Sequence, residues 1–287
     1  MILVAAIAAM LGAGPANEAG GTLLCYMTPV GGLWQVLVRN LDGTGRKILT
    51  KSPFDKKDPV FHPDRKRVFF SGTNHGAFWV DIATAQEHPI KQAMEGARGI
   101  RFSADGGKVL YYRARTDAND QSEIWMADSA FRSPVQIIAR PGLQRYPDGD
   151  SALSGIVYLS GRAATGHDIW YYRIRDSSQV RITNDMATES APAISPSGRK
   201  VAFASAPLGL YAVYVTALAD PAPKPIQLPR YTVLDLDWID EDRLICTVME
   251  GGREPQLGVL ATATNEFTKL EWEETRGIRC PSVLRRP

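Results

Sequence analysis

A repeat of roughly 44 residues limits what this chain can fold into more than any other feature. Each copy opens with a short strand, a tight turn and a second strand of alternating apolar residues. The pattern reads DPVFHPDRKRVFFSG from Asp58, GIRFSADGGKVLYYR from Gly99 and APAISPSGRKVAFAS from Ala191. Looser copies are YPDGDSALSGIVYLS from Tyr146 and DLDWIDEDRLICTV from Asp235. The turns use Pro, Asp, Ser and Gly, which set or tolerate turn dihedrals. The flanking alternation has period two, which specifies strands. The first apolar residue of each second strand falls at Leu23, Val68, Val109, Ile156, Val201 and Leu244, at intervals of 45, 41, 47, 45 and 43.

Each copy continues into an aromatic strand: GLWQVLV at Gly32, AFWVDIA at Ala77, EIWMADS at Glu123, DIWYYRI at Asp168 and AVYVTAL at Ala212. Fourth strands follow, as in RKILT at Arg46, VQIIA at Val135 and VRITN at Val180. Four strands at this period predict an all-β, six-bladed β-propeller with antiparallel blades. Trp34, Trp79, Trp125, Trp170 and Tyr214 are predicted to share one position, filling the wedge between neighbouring sheets. The first copy has no inner strand ahead of Leu23. GIRCPSVLRRP from Gly277 supplies one, with Pro281 matching Pro192 and Val283 matching Ile194. The C-terminal strand is therefore expected to pair into blade 1 and remove an open sheet edge. The predicted blades span 22–50 plus 277–287, 57–91, 98–139, 145–184, 190–228 and 234–271, within one domain covering 17–287.

The first sixteen residues stand apart. Met1 to Leu11 is an apolar run followed by small residues up to Ala16. It is too short to span a bilayer and has the form of a secretory signal, although no Lys or Arg precedes it. A periplasmic or secreted location is the expectation, with no integral membrane span. The charge is nearly balanced, 33 Lys and Arg against 31 Asp and Glu. That gives little long-range attraction for a polyanion, so nucleic acid is not an expected partner. Three cysteines, Cys25, Cys246 and Cys280, are too few for a disulfide framework. Cys25 and Cys246 align with the buried Phe203. Cys280 falls in the strand beside Cys25, but on the opposite face of that sheet in the predicted register.

No motif of established chemistry is present: no GxSxG, HExxH, P-loop or CxxC. Ser195 to Gly198 reads SPSG, but it occupies the repeated strand-joining turn. His62 replaces the Ser that opens that turn. His75 and His167 lie in equivalent loops two blades apart, too far for a shared metal. Asp148 and Asp150 alternate as in a calcium loop, but no Glu follows at the required distance. No metal or other cofactor is expected. The alignment places Lys57, Arg98, Arg145, Glu189 and Arg279 at the start of the inner strands. Asp58, Tyr146 and Asp235 lie slightly deeper, beside Arg101, Asp148 and Asp237. Charge replaces the small residues used at Ala191 and Ala193, and buried charge is awkward unless paired or wet. The candidate binding mouth is thus Arg98, Arg101, Arg145, Tyr146, Asp148, Asp235, Asp237 and Arg279.

The wording SPSGRKVAFAS and SADGGKVLYYR, with the IWxxD-like and RITN-like strands, resembles the WD40-like repeat of TolB-like propellers. The resemblance covers the propeller and not the N-terminal α/β domain of the periplasmic namesake, which binds a peptidoglycan-associated lipoprotein. It implies a non-catalytic envelope binding or scaffold protein, expected to be a monomer. The expected partner is an envelope protein, a peptide or a glycan, engaged on the loop face. The alternative is a propeller enzyme, a polysaccharide lyase or hydrolase, using the carboxylates Asp148 and Asp237 with Arg101 or His167.

Overall fold

Alternating apolar residues between Gly- and Asp-rich turns produce hairpin after hairpin, and the chain is a ring of six four-stranded antiparallel sheets. The computed structural model describes residues 21–91, 96–115, 121–162, 166–184, 188–207, 209–272 and 277–284. The leader-like segment 1–16 lies outside them. The first sheet holds β1 (Leu23–Val30), β2 (Leu33–Asn40) and β3 (Lys47–Ile48). The second holds β4 (Lys56–Phe61), β5 (Arg67–Gly72), β6 (Gly76–Asp81) and β7 (Glu87–Pro89). The third holds β8 (Ala97–Phe102), β9 (Lys108–Ala114), β10 (Ser122–Asp128) and β11 (Val135–Ile138). In the fourth are β12 (Leu143–Gly149), β13 (Gly155–Arg162), β14 (Gly166–Arg173) and β15 (Ser178–Arg181). The fifth comprises β16 (Glu189–Ile194), β17 (Lys200–Ser205), β18 (Ala212–Ala217) and β19 (Lys224–Ile226). The sixth comprises β20 (Tyr231–Trp238), β21 (Arg243–Glu250), β22 (Gln256–Ala261) and β23 (Glu266–Lys269). Finally β24 (Arg279–Val283) returns to the first sheet as its innermost strand.

The ring closes as the repeat predicts. β24 runs antiparallel to β1, with Leu24 opposite Val283 and Cys25 opposite Ser282, and the Leu284 N–H donates to the Leu23 carbonyl. The core is six apolar clusters, each between two consecutive sheets. Second strands are apolar on both faces for this reason. In β5, Val68 and Phe70 pack towards the first sheet while Phe69 packs towards the third. No strand of this kind presents a polar face to water, so its alternation sorts residues between two cores rather than between core and solvent.

The wedge position departs from the expectation. Trp125, Trp170 and Tyr214 do share it, opposite Tyr111, Tyr158 and Phe203. In the second sheet the equivalent residue is Phe78, opposite Phe70. Trp79 is one residue further on and faces the other way, into the third sheet. The equivalent in the first sheet is Leu37, opposite Tyr26: the repeat there is offset by one residue from Leu23, so Cys25 faces the second sheet and does not match Phe203, and Trp34 lies at the far end of β2, opposite Pro29. In the sixth sheet it is Gly258, and the Phe267 ring lies where a β-carbon there would be. The wedge requires volume, which any large apolar group supplies.

The strand-joining turns line the opposite end of the ring from the inner-strand starts. Ser103 and Ser195 hydroxyls accept the N–H groups of Lys108 and Lys200. His62 substitutes by accepting the Asp64 N–H on Nδ1. Neighbouring turns are laced together: the Ala104 N–H reaches the Ser151 carbonyl, the Ser151 hydroxyl reaches the Pro196 carbonyl, and Ser197 bonds Glu241. SPSG is thereby accounted for as structure. Among the described residues, no helix is long and apolar enough to cross a membrane.

Candidate functional site

Five of the six innermost strands carry a β-bulge at one place, with its residue in the left-handed region: Asp58, Gly99, Tyr146, Ala191 and Cys280, at φ between +49° and +59°. Pro59, Pro147, Pro192 and Pro281 follow four of them. Proline fixes the next φ and has no N–H to lose at the point where ladder pairing is interrupted. β20 differs: its irregularity falls between Val233 and Asp235, and Asp235 itself is extended. The bulges turn these side chains towards the central channel. Because the conformation recurs around the ring, the strain at Tyr146 and Asp58 belongs to the architecture.

Register assigns three successive levels along the inner strands. Just before the bulge stand Lys57, Arg98, Arg145, Ser190 and Arg279. Glu189, expected at that level, is one residue earlier and buried, alongside the buried Lys56 and Gln144 at the same position in their blades. At the bulge level are Asp58, Gly99, Tyr146, Ala191, Asp235 and Cys280. Two residues on are Val60, Arg101, Asp148, Ala193, Asp237 and Ser282.

Arg101 divides the channel. It lines both a wide funnel of about 430 Å³ and a smaller chamber of about 80 Å³ beyond it. Its guanidinium donates from Nε to Asp148 at 3.1 Å and from Nη1 to its neighbour's carbonyl at Ile100, 2.9 Å. The other oxygen of Asp148 accepts the Ile194 N–H of the next blade at 2.9 Å. Asp237 repeats this two junctions later, accepting the Val283 N–H at 3.0 Å. Asp235 takes the Cys280 N–H at 3.1 Å and a two-armed bond from Arg279 at 2.7 and 3.3 Å. The inner edge of an innermost strand has no further strand to pair with. These carboxylates satisfy its amides across the gap between blades.

The funnel wall mixes apolar residues, among them Met27, Trp34, Pro59, Pro192, Leu236 and Pro281, with the cations Lys56, Lys57, Arg101 and Arg279. Asp58, Asp235, Tyr146 and Cys280 interrupt it. The Cys280 Sγ lies 3.7 Å from an Asp235 oxygen and 4.0 Å from an Asp58 oxygen. Burial, and then those two carboxylates, push the thiol well above its usual range, so it is neutral. Burial also raises the Asp58 carboxyl, with Asp235 adding to the rise and Arg101 opposing it. Tyr146, 44% exposed at the mouth, leans on Tyr112 with ring centroids 5.5 Å apart. Arg98 and Arg145 both act on Tyr112.

The structure therefore brings Arg101, Tyr146, Asp235 and Arg279 to the funnel, and places Asp148 and Asp237 beside Arg101 in the chamber beyond. Arg98 and Arg145 stand behind the wall, at the tyrosine pair. Sequence reasoning missed Trp34, Met27 and Tyr112. Cys280, which the sequence places only in the strand beside Cys25, lines the funnel. All three cysteines are free, and Cys25 and Cys246 are fully buried. His75 stacks on Phe54 at 4.3 Å, and burial followed by the Arg145 charge lowers the His167 pKa. Asp150 accepts the N–H groups of Ala152, Ser154 and Gly155, which makes it a turn cap. Among the described residues, no group of three or more His, Cys, Asp or Glu side chains is placed to hold a metal ion.

The fold is shared with known proteins. The ring has the six-bladed architecture of the TolB-like propellers. TolB of Acinetobacter baumannii superposes with a TM-score of 0.77 at 18% identity, over 92% of this chain and 66% of that one. A protein of Agrobacterium tumefaciens, provisionally assigned as TolB, gives 0.71 at 13% identity, over 88% and 90%. An oligogalacturonate lyase of Vibrio parahaemolyticus gives 0.60 at 14% identity, over 86% and 73%. No protein-family model matches the chain, and no curated protein matches it in sequence.

Two outcomes test this description. Asp148→Ala strands the Arg101 charge and the Ile194 amide together, and is expected to destabilise the fold by about 2–4 kcal/mol in urea unfolding. Asp148→Asn keeps an acceptor for the amide and is expected to lose less; equal losses would contradict the cross-blade bond. At Asp58, burial raises the folded pKa, so the folded state loses stability as pH rises through that raised value. Asp58→Asn is expected to raise the thermal midpoint at about pH 7 by a few degrees. The gain should disappear near about pH 3, where both side chains are neutral. A gain of equal size at both pH values would mean that the charge is not responsible.

Proposed function

We propose that this chain is a non-catalytic binding propeller of the cell envelope that receives a segment of a partner in its funnel. One observation carries the reading: the funnel is open and lined by apolar and ionisable side chains together, while the carboxylates in the chamber beyond hold the framework. A preformed concave site that combines apolar wall with convergent polar groups suits capture of a ligand. Asp148 and Asp237, the residues an enzyme here would use as acid and base, each already accept a backbone amide from the next blade. Removing them for chemistry would unfasten the ring. The likeness to TolB proteins supports a binding or scaffold role, and the leader-like segment supports export. The partner class is a protein, peptide or glycan.

A second reading has its own support in the similarity to oligogalacturonate lyases. It makes the chamber carboxylates catalytic. Both readings are tested by one pair of measurements. A photo-crosslinking residue at Tyr146 is expected to trap a partner in intact native cells, while the same residue at Val135, exposed on an outer strand, traps none. Purified protein is expected to show no turnover of oligogalacturonate. Turnover that Asp237→Asn abolishes, without adducts at Tyr146, would replace the binding reading with the enzymatic one.

A further inference from the structure

The wedge between the second and third sheets gathers more rings than any other among the described residues: Phe69, Tyr111 and Phe131 in its core, with Trp79, Phe102 and Trp125 packed against them. On the outer side of the ring this wedge opens into a groove of about 270 Å³, which shares no lining residue with the funnel or the chamber. One wall is Trp79, stiffened by His88 stacked on it at 4.0 Å. The other is the turn between β10 and β11. That turn repeats the β2–β3 turn of the first sheet bond for bond. The Gly43 and Phe131 N–H groups donate to the Asn40 and Asp128 carbonyls, and the Asn40 and Asp128 N–H groups to the Thr44 and Arg132 carbonyls. The first sheet meets its two left-handed positions with Gly43 and Gly45, the third with Phe131 and Ser133, at +60° and +52°. A bulky residue held there is strained. Phe131 is buried on Phe69 and Tyr111, with centroids 6.3 and 5.8 Å away, and draws the turn onto the second sheet. Arg132, between the two left-handed residues, is thereby set on the rim across from Arg67.

Each guanidinium is held by one carboxylate that does not itself line the groove. Asp64 accepts from Arg67 Nε at 2.7 Å, and Asp128 from Arg132 Nε at 3.0 Å. Among the described residues, both terminal nitrogens of Arg132 and one of Arg67 keep their N–H groups for another acceptor. Arg67 also lies over the Phe69 and Trp79 rings, at 5.5 and 5.6 Å, which fixes its place above the groove floor. The two ion pairs are close to neutral, so the groove exerts little pull on a distant anion and selects by contact. We infer that it binds a neutral glycan through an N-acetylated sugar unit: the ring against Trp79, hydroxyl and acetamide oxygens on Arg67 and Arg132, and the methyl against Pro89 and Ile90. A sugar ring has an apolar face and a polar circumference. The groove is divided in the same way, with rings and aliphatic groups on its walls and donors at its rim. The aliphatic end suits an acetamide methyl, which a plain hexose lacks. A carboxylated sugar would meet Asp64 and Asp128 behind the arginines. The site is independent of the funnel, and its failure would leave the binding reading as it stands.

The test is calorimetric titration of the full-length protein with chitotetraose, cellotetraose and tetragalacturonate. Chitotetraose is expected to bind, with an affinity little changed between about 0.05 and 0.5 M salt because the ligand carries no charge. Cellotetraose, which lacks the acetamide, is expected to bind about fivefold more weakly or worse, and tetragalacturonate not to compete. Arg132→Ala is expected to weaken chitotetraose about tenfold through its lost hydrogen bonds. The Arg132 side chain is 72% exposed on a turn, so the variant keeps the fold. The same change at Arg175, 78% exposed on a turn of the fourth sheet, is expected to have no effect. Absence of chitotetraose binding, tighter binding of tetragalacturonate, or an affinity that Arg132→Ala leaves unchanged would each overturn the inference. Loss of chitotetraose binding in Tyr146→Ala but not in Arg132→Ala would place the sugar in the funnel, overturning the groove while supporting the binding reading.

Discussion

An innermost propeller strand has a neighbour on one side only, and the amides on its other edge face a narrow channel. Buried amides without partners are costly, and the fold depends on how they are met. At the junction of the fourth and fifth sheets Asp148 supplies the acceptor, and at the junction of the sixth and first Asp237 and Asp235 supply three between them. The second junction is also where the two ends of the chain meet, so the carboxylates there fasten the ring at its seam. Trp238 adds a bond from its indole N–H to the Ala193 carbonyl at the fifth junction. The charge in the channel wall is thus mostly framework, and what is left over defines the site.

That remainder is small. With Asp148, Asp237 and Asp235 engaged, the funnel retains apolar wall residues, a neutral thiol, a carboxyl raised by burial and the exposed Lys57. The thiol, Cys280, lies between the Asp235 and Asp58 carboxylates, which together with burial hold it neutral. On the proposed reading these features serve recognition of a partner segment. The bulges make this possible, since each interrupts its ladder where a side chain must be aimed into the channel.

Much of the fold was legible in the sequence because propeller blades repeat both period and chemistry. The turns at Asp64, Asp105 and Ser197, the alternation after them and the match of Val283 to Ile194 fixed blade number and closure. The Trp alignment misled because a wedge selects bulk rather than indole. Phe78 and Trp79 are adjacent, and only pairing with Phe70 shows which one faces the previous blade. The site was half legible. Charged residues stood out where other blades use Ala, but nothing local reveals that an Asp reaches an amide 46 residues away. The bulges were hidden because Asp, Gly, Tyr, Ala and Cys share no chemistry; the proline after four of them was the available sign.

Amide hydrogen exchange on the unaltered protein tests the central claim most directly. The Ile194 and Val283 N–H groups, which no strand pairs on the channel side, are expected to be as slow as those at the centres of β17 and β21 and to exchange only with global unfolding. Exchange of these two amides at the rate of the exposed Gly31 and Gly32 turn would mean that Asp148 and Asp237 do not hold the blades together, and those carboxylates would then be free for another role.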